Sequence, residues 1–164
     1  MPTIKAFRMD GLGNKFVIVD RRKDFVNITK EQIIHLGNLK SFHRDIGFDQ
    51  IIFIEKEVDK AFPITIFNSD GGEVSACGNG SRCIAYLLGK DLNTKEVKLK
   101  TNNRLLSAKI VGDLDVELAM GKPIIEWDKI PLSKNLDHSN ITLNIEDKKF
   151  TDGFCVNVGL SLIH

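Results

Sequence analysis

The sequence has few cysteines, no long apolar run and no excess of charge of one sign. Three cysteines among 164 residues, an odd number without regular spacing, argue against a disulfide framework and favour a reducing compartment. No apolar stretch approaches the roughly 18 residues that a membrane span requires, and the first residues carry no signal-peptide pattern. Lys and Arg total 23 against 22 for Asp and Glu, which gives no electrostatic footprint for nucleic acid or an anionic membrane. These absences predict a cytoplasmic protein.

The length and composition are those of one globular domain, or of one domain and part of another. Hydrophobic residues make up 42% and charged residues 27%, as in ordinary folded proteins and unlike disordered ones. Short apolar or alternating segments, separated by turn-forming residues, indicate more strands than helices. The segments that predict strands are 4–9, 16–20, 49–54, 62–67 and 97–101, together with hairpin arms at 105–111 and 114–120 around Gly112-Asp113, and at 141–145 and 150–158 around 146–149.

Two helices are predicted between these strands. Thr29 and Gln32 have the spacing of a capping box, which predicts a short helix ending near Gly37-Asn38. Residues 83–88 are apolar nearly all round, so they predict a buried helix with sheet wrapped about it. The predicted strands and helices together indicate the α+β fold class. Residues 121–123, Gly-Lys-Pro, interrupt the pattern and predict a domain boundary.

The most informative stretch is 68–83, where Cys77 lies among small residues just before the buried helix. Glycines let backbone N–H groups approach a ligand closely, and a helix N-terminus favours a carboxylate or phosphate. The same field is expected to favour the thiolate of Cys77, making it a better base or nucleophile. Composition alone favours a plainer interpretation, in which Cys77 is a small buried hydrophobe and Gly-Asn-Gly is a turn.

Other classes of site are less well supported. Gly11-Leu12-Gly13 lacks the third glycine of a dinucleotide fingerprint and leads into a strand. No Cys-x-x-Cys pair is present and the four histidines are scattered, which disfavours zinc. A Ser-His-Asp hydrolase stays open, although no nucleophile elbow is present. Six residues of helix separate Cys83 from Cys77 by about 120° of azimuth, so we expect Cys83 to pack the helix and Cys155 to point inward from a strand.

Three motifs, taken in order along the chain, resemble those of the diaminopimelate epimerase family. They are Gly11-Leu12-Gly13-Asn14-Lys15-Phe16, Gly47-Phe48-Asp49-Gln50 and the cysteine motif from Asn68 to Cys83. The resemblance implies two pseudo-symmetric halves, each a strongly curved, mostly antiparallel sheet around a central helix. It also implies a cofactor-independent isomerase of lysine and peptidoglycan biosynthesis, which epimerises LL- and meso-diaminopimelate without pyridoxal phosphate, metal or nucleotide. A homodimer is possible for the full-length enzyme.

The resemblance also implies roles for individual residues. Cys77 would be one of two cysteines that exchange the α-proton across a cleft, as thiolate base and thiol acid in turn. Gly78 and Asn79 would contact the reacting carboxylate through their backbone, where helix amides can stabilise the carbanion-like transition state. The substrate's polar groups would be bound by three side-chain amides, which are those of Asn14, Gln50 and Asn68.

The sequence departs from the family pattern at two internal positions and at its end. Lys15 stands where the family usually has Asp, and Gly72 where Ser is common. After Gly159 the family continues into Asn-Pro-His, whereas this sequence has Leu-Ser-Leu-Ile-His, as a truncation or frameshift would produce. We therefore expect an N-terminal epimerase domain over residues 1–120, an incomplete second domain over 121–164, and no epimerisation by this chain alone.

Three alternatives remain open from the sequence. A proline or hydroxyproline racemase would share the architecture and act on another amino acid. A phenazine-type isomerase normally lacks the catalytic cysteine, so Cys77 argues against it. A non-catalytic ligand-binding half-domain is the third alternative, because the second catalytic cysteine is expected beyond the residues present.

Overall fold

The computed structural model describes residues 5–41, 44–45, 47–130 and 132–158 of the chain. Its contacts divide these residues into two compact units, 5–119 and 120–158. Residues 131 and 159–164 lie outside the described residues, as does Ile4 of the first predicted strand. That residues 121–164 open a second, pseudo-symmetric domain stays a prediction.

Strands predominate in the first unit, as the sequence predicts, and two helices accompany them. The helices are α1 (Lys30–Gly37) and α2 (Gly78–Leu92). The strands are β1 (Ala6–Gly11), β2 (Asn14–Asp20), β3 (Lys40–Ser41), β4 (Arg44–Asp45), β5 (Gln50–Ile54), β6 (Phe62–Asn68), β7 (Glu73–Val74), β8 (Glu96–Lys100), β9 (Leu105–Ile110) and β10 (Val116–Ala119). The predicted hairpin around Gly112-Asp113 is confirmed, because β9 and β10 pair antiparallel on either side of it.

One eight-stranded sheet organises this unit. Its order is β1-β2-β5-β6-β8-β9-β10, with β7 paired to β6, and β3 and β4 form a separate two-stranded ribbon. The pairs β2–β5 and β6–β8 are parallel and the other pairs of the large sheet are antiparallel. Helix α2 contacts both edge strands, β1 and β10, as well as β2, β5, β8 and β9, so the sheet curves around it. The predicted α+β class, with a curved, mostly antiparallel sheet around a central helix, is confirmed.

The main core lies between α2 and the concave face of the sheet. On the helix it is formed by Cys83, Ile84, Ala85 and Leu88, which are at most 7% exposed. Burying side chains of this size contributes about 1.5–3 kcal/mol each for the larger ones, which makes this face the main stabilising contact of the helix. The predicted buried helix is confirmed, and so is the interpretation of Cys83 as a packing residue.

Helix α2 begins earlier than the apolar pattern predicts. Gly78 is its first residue, so the Gly-Asn-Gly stretch forms the first helical turn instead of a separate turn. Glycine and asparagine have low helix propensity, but Gly78 and Gly80 are buried and have no side chain that would clash. The helix ends at Leu92 and is capped by Asn93, which adopts the left-handed conformation at φ 53°.

Strand β5 is buried on both faces, which explains its continuous apolar sequence. Ile52 and Ile54 face the α2 core, whereas Ile51 and Phe53 belong to a second cluster on the opposite face. That second cluster includes Ile33 of α1. The predicted capping box at the start of α1 is confirmed, since the side chains of Thr29 and Gln32 each bond the other's backbone N–H.

An arginine joins the end of β2 to the last turns of α2. Arg22 makes a bidentate contact with Asp20, and its Nη2 also lies 2.7 Å from Asp91 Oδ2. The hydrogen bond from Arg22 lowers the pKa of Asp20, although partial burial opposes it. The C-terminal end of α2 is thereby joined to the end of β2.

The second unit contains a hairpin and a short 3-10 helix. Strands β11 (Ile141–Ile145) and β12 (Lys148–Gly153) pair antiparallel, which confirms the second predicted hairpin, and the 3-10 helix spans Trp127–Lys129. The prediction that its second arm reaches residue 158 is wrong, because β12 ends at Gly153. Cys155 therefore does not point inward from a strand; it follows β12 and its N–H donates to the carbonyl of His138. Among the described residues, no helix is long and apolar enough to cross a membrane.

Candidate active site

Cys77 is the residue from which the candidate site is built. It is the N-cap of α2, with extended backbone at φ −145° and ψ 111°, and its Sγ accepts a hydrogen bond from Gly80 N at 3.4 Å. The sulfur therefore takes the place that a Ser or Asp oxygen usually has at a helix start. The side chain is half-buried and packs against the α2 core.

The surroundings of Cys77 change its pKa in opposite directions. Burial raises the pKa, and the charge of Asp49 adds to this effect. The N–H groups of Gly80 and Asn79 and the charge of Arg82 lower it, but the net direction is upward. The N–H groups at the helix start therefore favour the thiolate, as the sequence predicts, but loss of hydration outweighs them and the net direction is towards the thiol. The surroundings of Cys77 thus favour its thiol form.

Two asparagines meet in front of the first turn of α2. Asn79 Nδ2 donates to Asn14 Oδ1 at 3.0 Å, which joins the start of α2 to the first residue of β2. Arg82 Nη1 donates to Asn79 Oδ1 at 3.3 Å, and Asn14 Nδ2 donates to Asp49 Oδ2 at 3.2 Å. The result is a continuous hydrogen-bonded chain of four side chains, which we call the amide chain. Asn79 and Arg82 also line a cavity of about 430 Å³ that extends along α2 towards β1 and β10.

A second pair of amides lies where strands β5 and β6 meet. Gln50 and Asn68 are directly opposed in register, and Gln50 Nε2 donates to Asn68 Oδ1 at 2.9 Å. Gln50 Oε1 is buried and accepts no hydrogen bond from the described residues. A desolvated acceptor of this kind is suited to a donor that a ligand brings.

Glycine is required beside the cysteine by close packing. A Cβ at Gly80 would lie 2.6 Å from Ile52 Cδ1 and 3.5 Å from Cys77 Sγ. A side chain at this position would therefore require Ile52 to move, and its absence seats the first turn of α2 against the strand that carries Gln50.

The structure brings the predicted site residues together in two groups. Cys77, Gly78, Asn79 and Asn14 form one group at the start of α2, and Gln50 with Asn68 forms the other. Asp49, which neighbours Gln50 in sequence and bonds Asn14, joins the two groups. Their roles with a substrate stay predictions. Sequence reasoning assigned no role to Asp49 and Arg82, although both lie inside the motifs that carried the resemblance.

The two departures from the family pattern leave the local hydrogen bonds intact. Lys15 bonds Asp49 through its backbone, with its N–H 2.9 Å from Asp49 Oδ2 and its carbonyl 2.9 Å from Asp49 N. Any residue except proline can make both contacts. Gly72 N–H donates to Asp70 Oδ1 at 2.7 Å, and a Cβ there would lie 3.0 Å from that oxygen. Gly72 therefore leaves room for this turn, where a larger residue would have to displace the Asp70 carboxylate.

The site offers proton-transfer and hydrogen-bonding groups. Within the parts of the chain that the structure describes, no three His, Cys, Asp or Glu side chains are grouped to hold a metal ion. Cys83 lies in the core behind the site, where burial, with the charges of Cys77 and Asp10, raises its pKa to about 11. A thiol at a helix start with convergent amides can move a proton next to a bound carboxylate.

Comparison with known sequences gives one consistent family. Residues 6–126 match the family model described as diaminopimelate epimerase. A protein of that name from Pelagibacter ubique is 45% identical over 159 residues, which cover 95% of this chain and 57% of the relative. Another, from Acidiphilium cryptum, is 37% identical over 136 residues, covering 83% of this chain and 48% of the relative. The chain spans about half the length of these curated relatives.

Solved structures show the same fold at low sequence identity. A predicted epimerase from Pseudomonas aeruginosa aligns with a TM-score of 0.55 and 17% identity, over 74% of this chain and 44% of that one. A phenazine biosynthesis protein of the PhzF family from Bacillus anthracis aligns with a TM-score of 0.52 and 20% identity, over 72% of this chain and 40% of that one.

Proposed function

Because the chain belongs to the diaminopimelate epimerase family, we propose that it is the N-terminal half of an enzyme that interconverts LL- and meso-diaminopimelate. The reaction would need no pyridoxal phosphate and would serve lysine biosynthesis in the cytoplasm. The observation that carries the proposal is the position of Cys77 at the start of α2, with side-chain amides converging beside it. The proposed substrate is a small dicarboxylic diamino acid.

Cys77 would exchange the proton on one face of the substrate's α-carbon. Inversion requires one group to remove the α-proton and another to deliver a proton to the opposite face. Burial raises the pKa of Cys77 and so favours its thiol, which would act as the acid when substrate arrives. The S–H proton would pass to the carbon as the other group removes the original proton, and the resulting thiolate would be the base for the reverse direction.

The start of α2 would bind the carboxylate next to the reacting carbon. Removing the α-proton sends negative charge into this carboxylate, and N–H donors already in place stabilise that charge most effectively. The first turn of a 15-residue helix supplies such donors at Gly78 and Asn79. The side chains of Asn14 and Asn79 would add further amide N–H groups.

Gln50 and Asn68 would bind the polar group on the other side of the α-carbon. The buried Gln50 Oε1 needs a donor, and the α-ammonium group of an amino acid is one. The pairing of β5 with β6 holds Gln50 directly opposite Asn68. An ammonium group bound at Gln50 Oε1 would therefore be fixed relative to Cys77.

We propose that the second acid/base group comes from outside this half. Cys83 is 7% exposed and packs in the core, so it cannot face the opposite side of a substrate bound at Cys77. We propose that a cysteine of the full-length enzyme's second half supplies it, and that the 164-residue chain alone does not epimerise diaminopimelate.

The test is α-proton exchange in D2O. A full-length version would join residues 1–158 to the remaining C-terminal part of the Pelagibacter ubique relative, and mass spectrometry would follow deuterium uptake into diaminopimelate. We expect exchange in this protein, none in the 164-residue chain, and a loss of at least about 100-fold with Cys77→Ala, as expected for a proton-transfer group. Cys83→Ala is the matched control, because it removes a thiol from the core and not from the site.

Each result separates the candidate functions. Exchange that survives Cys77→Ala would show that Cys77 is not an acid/base group. Exchange into proline but not diaminopimelate would indicate the racemase alternative. Binding of diaminopimelate without any exchange in the full-length version would indicate a ligand-binding protein.

A further inference from the structure

The amide chain ends in a charge at both sides. Asp49 accepts from Asn14 at one end, over 3.2 Å, and Arg82 donates to Asn79 at the other, over 3.3 Å. Asp49 is held in turn by the backbone N–H of Lys15 at 2.9 Å. The Asp49 carboxylate bonds Asn14 and Lys15, which are 35 and 34 positions away in sequence, so tertiary structure brings this carboxylate to the site.

The two end charges leave one orientation for each asparagine. A carboxylate only accepts hydrogen bonds and a guanidinium only donates them. Asn14 must therefore turn its NH2 group to Asp49, which leaves its Oδ1 for Asn79. Asn79 must then present its NH2 group to Asn14 and its Oδ1 to Arg82. Reversing either amide would place two donors or two acceptors face to face.

We propose that Asp49 and Arg82 are positioning residues, which fix the two amides so that each presents its remaining N–H to the substrate carboxylate. This rests on the proposed function, because it concerns the carboxylate that the start of α2 would bind. One hydrogen of each NH2 group is committed to the amide chain, and the second bonds no acceptor within the described part of the chain. With either amide reversed, a carbonyl oxygen would face the substrate's negative charge.

The surroundings of Cys77 support this assignment. Asp49 raises the pKa of Cys77 and Arg82 lowers it, so both residues lie close enough to the sulfur to affect its charge. Both side chains are thus near the reacting group, although neither bonds it. Their effects on the thiol are opposite, whereas their proposed effects on the two amides are cooperative.

Matched substitutions distinguish the effect of the charge at Asp49 and Arg82 from the effect of side-chain size. Asp49→Asn and Arg82→Gln keep similar size but introduce a group that can both donate and accept, so the orientation is no longer fixed. Arg82→Lys keeps a side chain that only donates, and Asp49→Glu keeps one that only accepts. Asp24→Asn makes the same chemical change at an exposed site outside the amide chain and is the control.

The first measurement uses NMR of the 15N-labelled 164-residue chain. Arg82 does not contact Asn14, yet Arg82→Gln should shift or double the side-chain NH2 resonances of Asn14. Arg82→Lys should leave them close to their original positions. Equal spectra for these two variants would show that the end charge does not set the orientation.

The second measurement is titration with meso-diaminopimelate, followed on the same spectra. Asp49→Asn and Arg82→Gln should each weaken binding by about ten-fold, the effect of losing one or two hydrogen bonds to a charged group. The double variant should bind no more weakly than the weaker single variant, because both changes act on the same two amides. Additive losses, or unchanged affinity in both single variants, would overturn the proposal.

The two proposals fail in different ways. If neither the 164-residue chain nor the full-length version binds diaminopimelate, the proposed function fails and the substrate part of this inference fails with it. If the chain binds diaminopimelate but Asp49→Asn and Arg82→Gln bind as the Asp24→Asn control does, only the positioning role fails.

Discussion

Gln50 donates its side-chain N–H to Asn68 Oδ1 over 2.9 Å, from directly opposed positions in β5 and β6. The carbonyl oxygen of the same Gln50 amide is buried and accepts no hydrogen bond within the described residues. A desolvated acceptor of this kind costs the folded protein about 1–3 kcal/mol. The Gln50 amide is therefore fixed through its NH2 group, whereas its carbonyl oxygen still needs a hydrogen-bond donor.

Replacing Gln50 by Met should separate stability from binding. The variant keeps the length of the side chain but removes the unsatisfied acceptor together with one hydrogen bond, so the free energy of unfolding should stay within about 1 kcal/mol of the original. The rise in Tm on adding diaminopimelate should disappear, because no acceptor remains for the ammonium group. Urea denaturation and thermal melts with ligand measure both. A variant that diaminopimelate still stabilises to the original extent would contradict this role for Gln50.

Two neighbouring residues of α2 should respond in opposite directions to the same replacement. Gly80→Ala improves helix propensity by about 1 kcal/mol, but its Cβ would lie 2.6 Å from Ile52 Cδ1 in a closed core, and overpacking typically costs about 1–3 kcal/mol. We expect a net loss of about 1–2 kcal/mol. Ser81→Ala removes a buried hydroxyl that has no partner among the described residues, so stability should be unchanged or higher.

Urea denaturation of these two variants gives the result directly. A Gly80→Ala protein more stable than the original would show that the Ile52 side chain can move to accommodate the added methyl group. Thiol alkylation of Cys77 adds a second measurement, because the same Cβ would also contact Sγ at 3.5 Å and should slow the reaction.

The stability of the chain should fall at alkaline pH because of Cys83. Burial raises the pKa of this thiol to about 11 from an ordinary value of 9.0, so the unfolded chain loses the proton first. The contribution to stability is complete below about pH 9 and is lost as the pH rises through about 11, amounting to roughly 2–3 kcal/mol. Urea midpoints from pH 7 to 11 should therefore decrease more steeply for the original chain than for Cys83→Ala. Parallel curves would show that Cys83 does not titrate in this way.

Much of the fold could be predicted because local sequence and tertiary structure agree. The capping box at Thr29, the turn at Gly112-Asp113 and the unbroken apolar run of β5 each indicate a structure that the fold then uses. The start of α2 could not be read in this way. Gly78 begins the helix against its low propensity, and the close packing of Gly80 on Ile52 of β5 is a tertiary contact that local preference does not report.

The sequence predicted which residues form the candidate site better than it predicted the hydrogen bonds between them. The motifs located the cysteine and the amides, but the contact of Asn14 with Asn79 joins residues 65 positions apart, and no local pattern reports it. Asp49 and Arg82 became visible only through those contacts. The direction of the Cys77 pKa shift was mispredicted for a related reason, because helix position can be read from sequence and burial cannot.

Strand β2 and helix α2 are fastened to each other at both ends. Asn14, the first residue of β2, bonds Asn79 in the first turn of α2, and Arg22, just after β2, bonds Asp91 near the helix end. Seven strand residues and the helix from 79 to 91 each span about 20 Å, so the two elements match in length. One inserted residue would displace one of these two contacts by about 1.5 Å in the helix or 3.3 Å in the strand. Insertions and deletions between relatives should therefore fall in the intervening loops. A chimera of two relatives should take β2 and α2 from the same parent.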